Sequence, residues 1–161
     1  MSVSKPKLCA VLERFAFGPT AVARVVASVP AELVRRRPAP GKWSVHEIVC
    51  HLADAEVFAS ERIRRTAAEK SPRLAAWDQD VCAASLAYDG RDLDAELEAF
   101  AALRRANHGM LARLPLAAFA RTATHSEKGA MTLEDLVANN AEHPFRHVAQ
   151  IRRAIASLQG R

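Results

Sequence analysis

Two histidines stand four residues apart in the C-terminal part of the sequence, at His143 and His147. In an α-helix each residue turns by about 100° and rises about 1.5 Å, so these two rings would lie about 40° apart and one turn along the same face. That spacing lets two imidazoles bind one metal ion. Such pairs also arise by chance on exposed helices, so the spacing alone does not establish a metal site.

A third histidine, His51, lies among Ile48, Leu52 and Ala55, which we expect to face a protein core. A single histidine on an apolar face is more often a hydrogen-bonded core residue than a metal ligand. Three histidines that meet inside a bundle would change this interpretation, because their buried lone pairs need a partner. The metal-site hypothesis therefore depends on whether the fold brings His51 to the other two rings.

His46, Glu47 and His51 resemble the zinc-protease motif, but one residue too many separates the histidines. At a spacing of five the two rings diverge by about 140° around the helix, so they cannot both face one metal ion. We therefore exclude a zinc protease, and we expect His46, in the first turn of its helix, to be exposed. Cys50 lies about 100° from His51 and is interpreted as a small core residue.

The spacing of apolar residues predicts four helices of about 20 residues each. We expect them over residues 7–27, 44–68, 93–114 and from 132 to near the end of the sequence. Gly18-Pro19 predicts a break or kink in the first helix. Residues 70–91 form a connection long enough for a crossover, with room for a short helix near Trp77. These features predict an all-α four-helix bundle in one domain over residues 1–161.

Capping pairs mark the starts of the second and fourth helices. Ser44 is followed three residues later by Glu47, and Thr132 by Asp135. In each pair the hydroxyl and the acidic side chain can satisfy free amide groups of the first helical turn. We expect a polar loop over residues 124–129 to lead into the fourth helix.

Composition narrows the class of protein. The net charge of +5 would permit an acidic partner, but the basic residues are interleaved with Asp and Glu, so a solvated surface is favoured over nucleic-acid binding. Three cysteines without paired spacing do not make a disulfide framework, which favours a reducing cytoplasm. The sequence has no signal-peptide apolar block and no uncharged stretch of about 18 residues, so we expect neither export nor a membrane span.

Two segments resemble the DinB/YfiT-like metalloenzymes. The first is KWSVHEIVCHLADAE at residues 42–56, which resembles the start of the second helix in that family. The second is TLEDL at residues 132–136, followed by EHPFRHVAQI at residues 142–151. Family members are similar there, with a capped helix that carries His-x-x-x-His and then a Gln-Ile or His-Ile pair. The order and spacing of these motifs fit over nearly the whole chain.

The resemblance implies an up-down-down-up bundle with a long crossover between helices two and three, often in a homodimer. It also implies one divalent metal ion, zinc or nickel first, bound by His51, His143 and His147. Relatives are thiol S-transferases or isomerases that use a low-molecular-weight thiol, or are called metal-dependent hydrolases. The sequence departs from the family pattern at Pro144, between the two histidines of the last helix. This proline removes a helical hydrogen bond and predicts a kink that would change the direction of the His143 side chain.

Several other residues are candidates for supporting chemistry. Asp54, Glu142 and Gln150 are close enough in sequence to orient the ligand rings, although solvated surface charge is an equal interpretation for the two carboxylates. His125 and Glu127, in the loop before the last helix, are weaker candidates for proton transfer, since an ordinary polar loop explains them as well.

Three neutral imidazoles leave a bound metal ion with an open position, where a water or a thiol loses its proton easily. The sequence therefore favours a metal-dependent enzyme acting on a small molecule, S-transferase-like or hydrolase-like. One alternative is a non-catalytic stress-response or interaction module that the metal stabilises. The other is a metal-free helical interaction protein in which the histidines are merely packed.

Overall fold

The computed structural model describes residues 4–160, and most of them are helical. The helices are α1 (Lys5–Ala27), α2 (Val45–Ala68), α3 (Gln79–Ser85), α4 (Leu93–Leu111) and α5 (Leu133–Leu158). The four long helices are those that the apolar spacing predicts, and α3 lies in the long connection. Residues 1–3 and 161, which belong to the predicted domain, lie outside the described residues. Within the described range, no helix combines the length and the apolarity needed to span a bilayer.

Both predicted capping pairs are confirmed at the starts of α2 and α5. The Ser44 hydroxyl accepts from the Glu47 amide, and the Glu47 carboxylate accepts from the Ser44 amide at 2.8 Å. Thr132 and Asp135 make the same reciprocal pair at the start of α5. A helix cap of this kind contributes about 1 kcal/mol of stability. The caps determine where each helix begins, and therefore which way its histidines face.

The predicted polar loop over residues 124–129 is instead part of a β-hairpin. Strands β1 (Arg73–Leu74), β2 (Thr122–His125) and β3 (Gly129–Thr132) form a small sheet in the order β1-β2-β3, with β1 parallel and β3 antiparallel to β2. Ala123 and His125 face inward from β2, while Thr122 and Thr124, which alternate with them, are exposed. Four residues are too few for this alternation to be recognised against a polar background.

Contacts between the long helices determine their relative directions. Lys7 of α1 pairs with Glu134 of α5, and Arg14, two turns further, pairs with Glu142. Because the residue numbers of the paired side chains increase in the same direction along both helices, α1 and α5 run parallel.

The same comparison applies to α2 and α4. Glu56 pairs with Arg104 at 2.8 Å, and Ser60 donates to Asn107 at 3.0 Å, so these two helices also run parallel. The connection between them, through α3, is therefore a crossover.

The core consists of two clusters of buried residues, one towards each end of the bundle. Val22 of α1 belongs to the same cluster as Phe100 of α4, whereas Leu8 belongs with Leu111. Residues with higher numbers on α1 therefore pack with residues of lower number on α4, so the two helices run antiparallel. The bundle is up-down-down-up, as expected.

Two prolines lie inside the long helices, and neither ends its helix. Pro19 lies within α1 and Pro144 within α5. A proline has no amide N–H, so the carbonyl four residues earlier loses its helical donor. The carbonyls affected here are those of Phe15 and Asn140.

One buried guanidinium supplies both missing donors. Arg104 Nη1 donates to the Asn140 carbonyl at 2.9 Å and to the Phe15 carbonyl at 3.4 Å. Arg104 is 1% exposed, and its other nitrogens donate to Glu56, which is also 1% exposed. This arrangement explains why the predicted interruptions do not break α1 or α5.

A glycine allows α1 to approach α5 at the same level. A Cβ atom on Gly18 would lie 2.9 Å from Cγ of Pro144, which is closer than carbon atoms pack. Because Gly18 has no side chain, the Pro144 ring fits in that space and packs directly on the α1 backbone. Pro144 is the residue after His143, so this contact lies next to the histidine cluster.

Candidate metal centre

The rings of His51, His143 and His147 converge between α2 and α5. The Nε2 atoms of His51 and His143 are 3.3 Å apart, and those of His143 and His147 are 2.9 Å apart. One nitrogen from each ring lies within 4.8 Å of the others. A tetrahedral zinc ion with Zn–N bonds of about 2.05 Å separates its ligand nitrogens by about 3.3 Å. Two of the three nitrogen pairs are already close to that separation, so these side chains can bind one divalent ion.

All three rings are neutral at pH 7. Burial, with a contribution from neighbouring imidazoles, lowers the pKa of His51 to about 3 and that of His143 to about 2. Burial also lowers the pKa of His147, partly offset by its hydrogen bond to Gln150. Neutral imidazole is the form that binds a metal ion. A purely nitrogen donor set of this kind suits zinc or nickel rather than magnesium or calcium.

Different contacts hold the rings of His147 and His51. His147 Nδ1 lies 2.8 Å from Oε1 of Gln150, so Nδ1 carries the proton and the Nε2 lone pair faces the cluster. Gln150 is thus placed as the sequence predicts for an orienting residue. The His51 ring packs between Trp43 and Trp77, at centroid distances of 4.9 and 5.6 Å. Its Nδ1 has no hydrogen-bond partner among residues 4–160, so packing alone orients it.

The structure places the other two predicted orienting residues away from the rings. Asp54 accepts from the Tyr88 hydroxyl at 2.8 Å and from Arg91 at 3.0 Å. Glu142 pairs with Arg14 on the surface and is half exposed. An arginine therefore neutralises each carboxylate. Glu142 lies at the surface, in keeping with the solvated surface charge that the sequence left open, whereas Asp54 is partly buried.

His46 does not belong to the cluster, which agrees with the exclusion of a zinc-protease site, but its expected exposure is wrong. It is 1% exposed, and its Nε2 lies 2.9 Å from the Arg91 carbonyl oxygen. The connections on either side of α2 fold over its first turn, and the His46 amide donates to the Val34 carbonyl at 3.0 Å. Cys50 is fully buried, as predicted.

A cavity of about 260 Å³ lies beside the cluster and is lined by His51, His143 and His125. His125 is 5% exposed, and its Nδ1 accepts from the Glu127 amide at 3.2 Å. A neutral imidazole whose Nδ1 accepts must carry its proton on Nε2. The structure thus brings one of the two weaker proton-transfer candidates to the cavity. Glu127 lines the adjoining depression instead, with Trp77.

Sequence analysis did not single out the charged and amide side chains of this cavity. They are Arg62, Gln79, Lys128, Asn139, Asn140 and Arg146. Arg62 follows His51 by eleven residues, which is three helical turns and about 20°, so the two share a face of α2. That spacing could have identified Arg62. The position of Lys128 depends on the hairpin, which the sequence did not predict.

Comparison with known proteins gives a family and a fold. A family model described as the DinB superfamily matches residues 14–151, a range that includes all three clustered histidines. A solved structure, YfiT from Bacillus subtilis, is described as a probable metal-dependent hydrolase with an unusual four-helix bundle topology. It superposes with a TM-score of 0.89 at 21% sequence identity, over 99% of this chain and 91% of that chain. No curated protein matches the chain.

Proposed function

Since this chain belongs to the DinB superfamily, we propose that it is a metal-dependent enzyme that acts on a small molecule. His51, His143 and His147 would bind the metal ion, with zinc or nickel as the preferred metal. The observation that carries this proposal is the convergence of three neutral imidazoles beside a cavity. The description of YfiT as a probable metal-dependent hydrolase supports a hydrolytic reaction. Transfer of a low-molecular-weight thiol to an electrophile is the other reaction that such a centre suits.

A divalent ion bound there supplies Lewis acidity, which lowers the pKa of a water or thiol that joins it. The protein's own side chains orient the ligand rings and contact the substrate. Gln150 keeps the Nε2 lone pair of His147 available, and Trp43 and Trp77 pack against the His51 ring and restrict its rotation. His125 lines the cavity and carries its proton on Nε2, and we assign to this N–H a hydrogen bond to the substrate atom on which negative charge develops.

The non-catalytic alternative, a metal-stabilised module, requires that protein atoms close the fourth coordination position. The cavity beside His51 and His143 favours the enzyme over that module, because it leaves space for a substrate at the cluster.

We also propose that the protein works as a homodimer in a reducing compartment. Cys9, Cys50 and Cys82 are all free thiols, which suits the cytoplasm. Phe17 is 46% exposed and lines an apolar groove between α1 and α5 together with Phe145. A second copy of the chain would remove that apolar surface from water. Light scattering of the purified protein tests the dimer.

Metal analysis tests the proposed site directly. We expect protein purified without a histidine tag to contain one equivalent of divalent metal, and the His51→Ala and His147→Ala variants to contain almost none. His108→Ala is the matched control, since His108 lies on α4 outside the cluster, and we expect it to retain the metal. Full metal content in His51→Ala would contradict the site.

Activity assays then distinguish the enzyme from the module. Metal-loaded protein is assayed against a panel of hydrolysable esters and amides and a panel of thiols with electrophiles. We expect turnover in one panel, and we expect His125→Leu, which removes the N–H donor, to lower it by about 10²-fold while the metal stays bound. Stoichiometric metal without turnover in either panel would favour the module.

A further inference from the structure

Three cations line the cavity beside the histidine cluster. Arg62 comes from α2, Lys128 from the turn between β2 and β3, and Arg146 from α5. No carboxylate is among the residues that line it, within the described part of the chain. Like charges that three separate elements bring to one small space repel each other unless an anion joins them.

These cations are not neutralised by ion pairs. Among residues 4–160, none of the salt bridges involves Arg62, Lys128 or Arg146. Arg62 donates to the Ala75 carbonyl, a neutral acceptor that holds the guanidinium in place. Glu61 and Glu127 interact electrostatically with Arg62, and Glu142 does so with Arg146, but none of these carboxylates forms an ion pair with them or lines the cavity. The lining itself therefore carries an excess of positive charge.

The positive charge extends from the histidine cluster to His125. Arg146 lines the cavity together with His143, three residues before it on α5. Arg62 and Lys128 line it together with His125, and both contribute to the lowered pKa of His125 after the larger effect of burial. An anion in the cavity would therefore lie between the clustered histidines and His125.

Amide side chains complete the lining. Gln79 and Asn139 add amide N–H groups to the same cavity, whereas the Asn140 amide already donates to the Leu136 carbonyl at 2.8 Å. Such groups, together with guanidinium and ammonium donors, bind the oxygens of carboxylate, sulfonate or phosphate groups. The volume of about 260 Å³ suits a small molecule.

We propose that this cavity binds a small anionic molecule, whose carboxylate, sulfonate or phosphate group contacts Arg62, Lys128 and Arg146 while its reactive atom lies at the histidine cluster. The inference rests on the proposed function, because it places the anion beside a metal-binding centre, and it adds the charge class of the substrate.

Binding of two matched thiols to cobalt-substituted protein tests this inference. The probes are 2-mercaptoethanesulfonate, which is anionic, and 2-mercaptoethanol, which is neutral. A sulfonate is a poor metal ligand, so the two probes should differ mainly in their contacts with the cations. The near-ultraviolet band of cobalt-bound sulfur gives each dissociation constant without an activity assay. We expect the anionic probe to bind about tenfold more tightly at low salt, and the difference to shrink as salt is added.

Charge-removing variants identify the residues responsible. Lys128 lies in the hairpin turn, on a different element from the three clustered histidines. We expect Lys128→Met to reduce the preference about threefold while the affinity for 2-mercaptoethanol stays the same. Arg146→Met should act in the same way. Arg105→Met is the matched control, because it removes one positive charge from an exposed position on α4 outside the cavity. We expect it to leave the preference unchanged.

The outcomes separate the inference from the proposed function. Equal affinity for the two thiols, or no sulfur band with either thiol on protein that holds cobalt, would overturn the anionic substrate and leave the metal site intact. A preference that Lys128→Met and Arg146→Met both retain would also overturn it. Protein that takes up no cobalt would overturn the proposed function, and the inference with it.

Discussion

Each imidazole of the cluster is oriented by a different kind of contact. A hydrogen bond from His147 to Gln150 fixes one ring, and packing between two tryptophans fixes His51. His143 is the residue before Pro144, which packs against the α1 backbone at Gly18. The three rings therefore differ in how sensitive they are to substitution of their neighbours.

The hydrogen bond to His147 should be measurable in metal affinity. Gln150→Leu removes the acceptor of His147 Nδ1, so the ring is free to rotate and its Nε2 becomes less basic. We expect metal affinity to fall by about tenfold or more, a range typical for the loss of such an orienting partner. Competition with a chromophoric chelator measures the change.

Gln159→Leu is the matched control for that experiment. It makes the same substitution at an exposed position after the end of α5, outside the histidine cluster. We expect its metal affinity to equal that of the unmodified protein. Equal losses in Gln150→Leu and Gln159→Leu would show that the hydrogen bond does not orient the ring.

At the scale of elements, Arg104 replaces the backbone donors that are missing because two of the helices contain a proline. It pairs with Glu56 and also donates to the carbonyls that Pro19 and Pro144 leave without a helical donor. Burying an ion pair is costly, and such a pair alone is often no more stable than apolar packing. Here the same guanidinium satisfies backbone carbonyls that would otherwise be buried without a donor, which accounts for a charge at this depth.

A double-mutant cycle between Arg104 and Pro144 tests this explanation. Arg104→Lys keeps a charge for Glu56 but loses the fork that reaches the Asn140 carbonyl. Pro144→Ala restores the amide that donates to that carbonyl within α5. We therefore expect Arg104→Lys to cost about 1 kcal/mol less in the Pro144→Ala background than in the unmodified protein. Urea unfolding of the four proteins gives the coupling, and strictly additive costs would contradict the explanation.

At the scale of the whole molecule, the candidate centre joins elements that are distant in sequence. His51 and His143 are 92 residues apart, and they meet because α2 and α5 pack against each other across the bundle. The cavity adds the hairpin, which carries His125 and Lys128. Binding at this point would therefore stabilise the fold of most of the chain.

Removal of the metal should lower the stability of the whole bundle. A ligand that binds only the folded state at 100 times its dissociation constant adds about 2.7 kcal/mol to the free energy of unfolding. We expect a chelator to remove a stabilisation of that size, seen as a lower midpoint in thermal unfolding. His51→Ala serves as the control, because its midpoint should not respond to metal or chelator. An equal response in that variant would place the metal elsewhere.

The local features of the long helices could be predicted from the sequence. Apolar spacing and the two capping pairs depend on residues within one or two turns of each other, so the starts of α2 and α5 were predicted correctly. The same local geometry put His143 and His147 on one face of a helix. The up-down-down-up order came from the family resemblance rather than from any spacing.

Contacts between distant residues were decided by the tertiary structure alone. The burial of His46, the partners of Asp54 and Glu142, the role of Arg104 for both prolines and the cations at the cavity all depend on which helix faces which. The spacing of residues along one helix determines the direction of a side chain, but not the atoms that another element brings to meet it. For that reason the histidines could be named from the sequence, whereas the charge around them could not.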